Sequence, residues 1–203
     1  ANKVKRVIFA SSSEVYGNGF KRPIKEDSEL MPKSSYGVSK VAGESYVKAF
    51  YEKYGLKYNI LRFFNIYGPE QRNDFVISKF KKIIQNNKTI NIYGSGEQSR
   101  AFCHVSDAAR AVVLIMEKGK KNEIYNIGND LEPIKIINLA KKMIRQSKKK
   151  IKITRIPFNK SDRSLNREIF KRQPNIDKLK KHTNYKPLIN LVSGLNSVLG
   201  KKI

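Results

Sequence analysis

The chain is short of cysteine, of acidic residues and of long apolar runs, and each shortage closes off a class of protein. A single cysteine, Cys103, in 203 residues rules out an internal disulfide and suits a reducing, cytoplasmic setting. No stretch has the length and apolarity needed to span a bilayer. The apolar part of the opening ANKVKRVIFA is too short for a secretory signal. No residues show metal-ligand spacing, so no metal is expected. Zinc-finger spacing and the aromatic-basic ribonucleoprotein pattern are missing too.

Only 17 acidic residues stand against 42 lysines and arginines, for a net charge of +25. Such a field attracts nucleic acid or membrane surfaces. The positive charges are scattered, however, as at Lys81-Lys82, Lys120-Lys121, Lys141-Lys142, Lys148 to Lys150 and Lys180-Lys181. Most fall on polar faces or at the ends of expected helices. A solvated lysine-rich surface accounts for that distribution, so neither nucleic acid nor a membrane is expected as a partner. A basic site for an anionic small molecule is compatible with it.

What is present is a foldable pattern, with 39% apolar and 29% charged residues. Val4–Ala10 is a short apolar run that reads as a buried strand and ends in a serine-rich loop. Tyr36–Gly55 has helical spacing at Val41, Tyr46, Ala49 and Phe50 and closes on glycine. Further strands are expected at Lys57–Phe63, Thr89–Gly94, Glu123–Asn129 and Ile151–Pro157. Helices are expected at Phe75–Asn86, Ser106–Gly119, Ile134–Ser147, Ile176–His182 and Leu191–Leu199. Asn65–Arg72, Gly94–Arg100 and Phe158–Pro174 read as loops. The alternation predicts an α/β fold with parallel strands and a soft boundary near Gly68-Pro69.

Chemistry concentrates in SSYGVSK, Ser34 to Lys40. Residues four apart share a helix face, so Lys40 stands one turn along from Tyr36. An ammonium beside a phenol favours the phenolate and makes a usable general base. Ser12, at the C-terminal end of the first strand, is where ligands bind in open α/β sheets. A Tyr-x-x-x-Lys pair alone also describes a half-buried tyrosine and a solvated lysine. Ser11 to Ser13 suit a plain turn, and Asn65 suits a backbone turn. Asp107 reads as a helix cap, His104 as a packed or solvent-facing histidine, and Cys103 as a small core residue.

The pieces FASSSEVYG, PKSSYGVSK, LRFFNIYGP, IYGSGEQSRAFCHVSDAARAV, IYNIGN and REIFKRQPNIDKLKKHTNYKP are collinear from about Val4 to about Pro187. Together they resemble the NAD-dependent epimerase/dehydratase group of extended short-chain dehydrogenase/reductases, which act on nucleotide sugars. The resemblance implies the C-terminal part of a Rossmann-like parallel sheet (residues 1–68, carrying the catalytic serine and Tyr-x-x-x-Lys) plus a smaller α/β part. That second part, residues 69–203, would mainly bind the nucleotide sugar, with some segments returning to the sheet. It implies Tyr36 as base, Lys40 as its electrostatic aid and ribose contact, and Ser12 as the group orienting the substrate hydroxyl. Ser13 and Glu14 sit where relatives place further acid/base or substrate groups. Ser11 and Phe63 would line the NAD side. Asn65 would touch the substrate's phosphate or nucleotide, and Arg100 and Arg163 would clamp the diphosphate, a role suited to arginine's planar fork. Tyr67 and Phe102 are read equally as pocket-lining or core aromatics. A homodimer through the helix bearing Tyr36 is implied as well.

The family's opening Gly-x-x-Gly-x-x-Gly turn, which lets pyrophosphate approach a helix N-terminus, has no counterpart here. Gly17-Asn18-Gly19 and Gly94-Ser95-Gly96 are isolated pairs. The sequence is therefore expected to start at about the fifth strand of the usual sheet, which leaves activity of this chain by itself open. Dehydratase relatives carry Asp-Glu after the catalytic hydroxyl. Ser13-Glu14 points instead to a UDP-sugar 4-epimerase type of reaction, with UDP-glucuronate decarboxylation as the alternative. A catalytically dead module that binds nucleotide sugars or other anions is the reading from another class.

Overall fold

The computed structural model describes residues 4–18, 23–157 and 171–201. In chain order the elements are β1 (Arg6–Ser12), a turn of 3-10 helix (Ser13–Tyr16), α1 (Ser35–Tyr54), β2 (Lys57–Phe63), β3 (Ile66–Tyr67), α2 (Val76–Gln85), β4 (Ile90–Tyr93), β5 (Ser99–Ala101) and β6 (Cys103–His104). They continue with α3 (Val105–Lys118), β7 (Glu123–Ile127), β8 (Pro133–Lys135), α4 (Ile136–Ser147), β9 (Ile153–Ile156), β10 (Lys171–Arg172), α5 (Asp177–Thr183) and α6 (Leu191–Val198). No helix among the described residues is long and apolar enough to cross a membrane.

β1, β2 and β7 form a parallel sheet in that order. β2 is central, and its Tyr58, Ile60 and Leu61 are buried, as a strand covered on both faces requires. The register pairs Ser11 with Arg62, Ser12 with Phe63 and Phe63 with Ile127. The C-terminal ends of all three strands therefore lie level. Successive residues of a strand face opposite ways. Ile8 packs toward α3 and α5 in a core with Leu61, Ala111, Ile115, Ile127 and Leu179. Phe9 faces α1, where it meets Gly43.

That contact explains how closely α1 lies on β1. A Cβ at Gly43 would stand 2.3 Å from the tip of the Phe9 ring. Gly43→Ala is expected to destabilise the fold by roughly 1–3 kcal/mol through overpacking, read as a lower urea midpoint at unchanged slope. α1 itself starts on a Ser34 cap, whose hydroxyl accepts the Gly37 N–H at 3.0 Å, and stops at Gly55 in the left-handed region.

A second core joins α2, α4 and α6 around Ile77, Phe80, Ile84, Ile92, Leu139, Met143 and Leu195. Beside it lie β4 paired with β9, β3 paired with β6, and the three-stranded β10-β5-β8. β3, β5 and β10 fall in segments expected as loops. Two or three residues are too few to show a period. α4 starts at Ile136, two residues later than expected, because Pro133 to Lys135 pair with β5.

Asp107 is not the cap of α3. His104 fills that position, with its Nδ1 accepting the Ser106 N–H. Asp107 is buried one turn in, where its carboxylate accepts the N–H groups of Leu188 and Ile189 and pairs with Arg110 at 2.8 Å. Cys103 is a core residue, and burial pushes its thiol up to about 12.

Burial also lowers the His104 pKa below its ordinary 6.5, against a weaker opposing pull from Asp107. His182 shifts the same way, chiefly by desolvation. Both favour the neutral ring in the fold. Their contribution is present above about pH 6.5 and is lost as the pH falls through the depressed values. The urea midpoint is expected to drop on acidification below about pH 6.5, and His104→Asn, which caps without charging, should flatten part of that drop.

Candidate active site

The sequence places a phenol and an ammonium on one turn of helix, and the fold adds a strand end to them. Tyr36 is the second residue of α1 and is 53% exposed. One turn on, the Lys40 Nζ stands 5.5 Å from the centre of the Tyr36 ring and 5.4 Å from that of Phe9. It donates to the Ala10 carbonyl at 2.8 Å. Lys40 is thereby anchored to the end of β1 rather than free in solvent.

The turn after β1 abuts the first turn of α1. A Cβ on Gly37 would stand 3.0 Å from both the Glu14 carbonyl oxygen and the Pro32 Cβ, so a larger residue there would push the turn and the helix apart by a few tenths of an ångström. Ser12 caps that turn, its Oγ accepting the Glu14 N–H at 3.2 Å. Ser12, Glu14, Tyr36 and Lys40 are thus brought to one place, the C-terminal edge of the parallel sheet. Helix dipoles and strand ends make that edge the usual ligand-binding face of such sheets.

The remaining expected residues divide. Ser11 is buried, and its hydroxyl donates to Glu44 Oε1 at 2.5 Å, so that side chain points into the fold. Ser13 is buried in the turn. Phe63 is partly buried against the core shared by β2, β7 and α3. Asn65 adopts a left-handed backbone, φ 42°, and its side-chain amide donates to the Ala101 carbonyl at 3.1 Å. It therefore does serve the backbone where the chain leaves β2. Arg100, on β5, donates to the Ser99 carbonyl at 2.9 Å and is the cross-strand neighbour of Arg172. Arg163 lies outside the described residues. Tyr67 and Phe102 are both buried and meet edge to face at 6.0 Å, as core aromatics do.

Arg172 is a site residue that carries no signal in the sequence. Its Nη1 lies 2.7 Å from Glu14 Oε1, with both side chains mostly buried, and its Nε is buried without a partner. One more cation therefore sits directly behind the Ser12–Glu14 turn. Glu44 and Arg62 are a second such case. They form a doubly hydrogen-bonded ion pair beneath the turn, each side chain 2% exposed. Glu44 follows Tyr36 and Lys40 at the same four-residue spacing, a hint that spacing alone cannot separate from a solvated acid.

For a dinucleotide cofactor, the exposed Tyr36 face and the anchored Lys40 fit a nicotinamide ribose. The buried Ser11 hydroxyl does not offer a contact. No glycine-rich phosphate cradle leads into a helix among the described residues. The fit is to one half of such a cofactor. A separate open cleft of about 480 Å³ between α2 and α6, lined by Gln71, Lys81, Lys82 and Val198 among others, touches none of the residues named for this site.

Residues 1–128 match the family model described as the NAD dependent epimerase/dehydratase family. Human dTDP-D-glucose 4,6-dehydratase is 38% identical over 143 residues, 70% of this chain and 41% of that protein. The UDP-N-acetyl-alpha-D-glucosaminuronate decarboxylase of Bacillus cytotoxicus is 33% identical across 96% of this chain and 63% of its own length. The crystal structure of UDP-glucuronic acid 4-epimerase from Bacillus cereus, in complex with UDP-glucuronic acid and NAD, superposes with a TM-score of 0.87 at 28% identity. It covers 96% of this chain and 60% of that one. The chain thus spans about 40 to 63% of the length of these relatives. With its strand-end serine and Tyr-x-x-x-Lys helix in the expected place, the chain belongs to the NAD-dependent epimerase/dehydratase family.

Proposed function

We propose that the protein acts on a UDP-sugar by NAD-dependent oxidation at C4 of the sugar, followed by reaction of the 4-keto intermediate. The observation that carries this reading is the convergence of Ser12, Tyr36 and Lys40 at the C-terminal edge of the β1-β2-β7 sheet. NAD, when bound, supplies the acceptor for the hydride at C4. Tyr36 takes the proton of the C4 hydroxyl. Lys40, held on the Ala10 carbonyl, supports the charge on that phenol and contacts the ribose. Ser12 orients the hydroxyl and shares its proton. Arg100, with Arg163, holds the nucleotide diphosphate.

In the 4-epimerase type of reaction, the keto sugar turns over and receives its hydride on the other face. Ser13-Glu14, in place of Asp-Glu, supports this over elimination of water. Glu14 of this turn is paired with Arg172, whose Nη1 lies 2.7 Å from its Oε1. The same pair favours one alternative. A cation behind the turn suits a substrate carboxylate, and in a 4-keto uronate that carboxylate is β to the ketone and is lost readily as carbon dioxide. Both routes accept a UDP-uronate.

A homodimer through α1 and a cytoplasmic setting complete the reading. Tyr46, Phe50 and Tyr54 leave the outer face of α1 well exposed, as a helix–helix interface needs. The test is product analysis after incubation with NAD and UDP-glucuronate. An inverted C4 without gas release supports epimerisation, and a UDP-pentose with carbon dioxide supports decarboxylation. Unchanged substrates across a panel of UDP-sugars, with no reduced nicotinamide, overturn the enzymatic reading and leave the binding module.

A further inference from the structure

Beneath the active turn lies a closed polar network that the reaction itself does not use. Glu44 on α1 accepts Arg62 Nε at 2.9 Å and Nη2 at 2.6 Å, and its Oε1 also accepts the Ser11 hydroxyl. Arg62 Nη1 donates to the Tyr16 hydroxyl at 2.8 Å and to the Glu26 carbonyl at 2.9 Å. The Tyr16 hydroxyl in turn donates to Asn126 Oδ1 on β7 at 2.7 Å. The Asn126 N–H donates to Glu26 Oε1 and its amide to the Ile24 carbonyl. One connected set of bonds thus ties α1, the end of β1, the 3-10 turn, β2 and β7 together.

Packing alone does not call for such a network. Apolar side chains of similar volume commonly fill the space of a buried ion pair with no loss of stability. What a carboxylate–guanidinium fork adds is direction, because two parallel hydrogen bonds fix both distance and orientation. Here the fork joins the helix that carries Tyr36 and Lys40 to the strand that sits beside Ser11 and Ser12. We propose that Glu44 and Arg62 are positioning residues, which set the Ser12 hydroxyl and the Glu14 turn at working distance from Tyr36. The proposal rests on the C4-oxidation reading for its kinetic consequence, and on the network alone for its geometry.

The experiment replaces both charges at once, Glu44→Leu with Arg62→Met, so that neither is left buried and unpaired. The double variant is expected to melt within about 5 °C of the parent. Its crystal structure should show the Ser12–Glu14 turn moved by about 1 Å relative to Tyr36. Turnover of the UDP-sugar should fall about a hundredfold in kcat, the usual consequence of misplacement on that scale, with KM within about threefold. An unmoved turn with full kcat overturns the proposal. If the double variant does not fold, Tyr16→Phe removes one of the two acceptors at Arg62 Nη1 at smaller risk. A fall of about tenfold in kcat without a change in KM is then expected, and unchanged kcat overturns the proposal. A parent protein without turnover would count against the functional reading instead, and the position of the turn in the variant's structure would still decide this one.

Discussion

Tyr36→Phe is expected to lower kcat by about a thousandfold while leaving the fold intact. General base catalysis by a positioned side chain is worth roughly a hundred- to ten-thousandfold, and the substitution removes only the oxygen that takes the proton. Tyr36 is half exposed at the start of α1, where such a change alters stability by less than about 0.5 kcal/mol. The aromatic ring beside Lys40 remains, so the ammonium keeps its neighbour. Turnover of a UDP-sugar, with melting temperature in parallel, checks both parts. Equal turnover by the variant would remove Tyr36 from the chemistry altogether.

Asp107→Ala is expected to destabilise the fold by about 3 kcal/mol. The carboxylate receives the Leu188 N–H on both oxygens and the Ile189 N–H at 2.9 Å. It is buried, and cutting it away removes the acceptor of both N–H groups. Two backbone donors are then left unsatisfied, and Arg110 loses its ion-pair partner. The segment it holds leads into α6, whose Leu191, Leu195 and Val198 complete the core with α2 and α4. Asp107→Asn keeps the shape and some acceptor capacity, so it should cost about half as much. Urea unfolding of the three proteins checks the order, and equal midpoints would show that the clamp does not hold the C-terminal segment.

The long elements and the Tyr36–Lys40 pair were legible because their signals are local. A four-residue spacing, a serine cap and a terminal glycine need no knowledge of the rest of the chain, and α1 follows them closely. The strands β1, β2 and β7 were placed correctly from short apolar runs bounded by turn formers, but β1, expected as buried, is an edge strand whose side chains are mostly only partly buried. What stayed hidden depends on distant partners. Arg172 looks like any other cation in a chain with 42 of them until β10 is laid beside β5 and Glu14 appears across from it. Arg62, inside an apolar run, gave no sign of Glu44. Asp107 has the residue type of a helix cap, and only the fold shows that it grips a segment eighty residues downstream. The choice among epimerisation, dehydration and decarboxylation was not legible for a chemical reason, since all begin with the same oxidation and share its residues.

The most direct test of the C4-oxidation reading is a single-turnover reaction of the protein with NAD and UDP-hexoses or UDP-hexuronates carrying deuterium or hydrogen at C4. The near-ultraviolet absorbance of reduced nicotinamide is followed. The expected result is a rise in that absorbance with at least one UDP-sugar, slowed severalfold by deuterium and absent in Tyr36→Phe. Product that forms at the same rate with either isotope, or no reduced nicotinamide with any sugar tested, would contradict it.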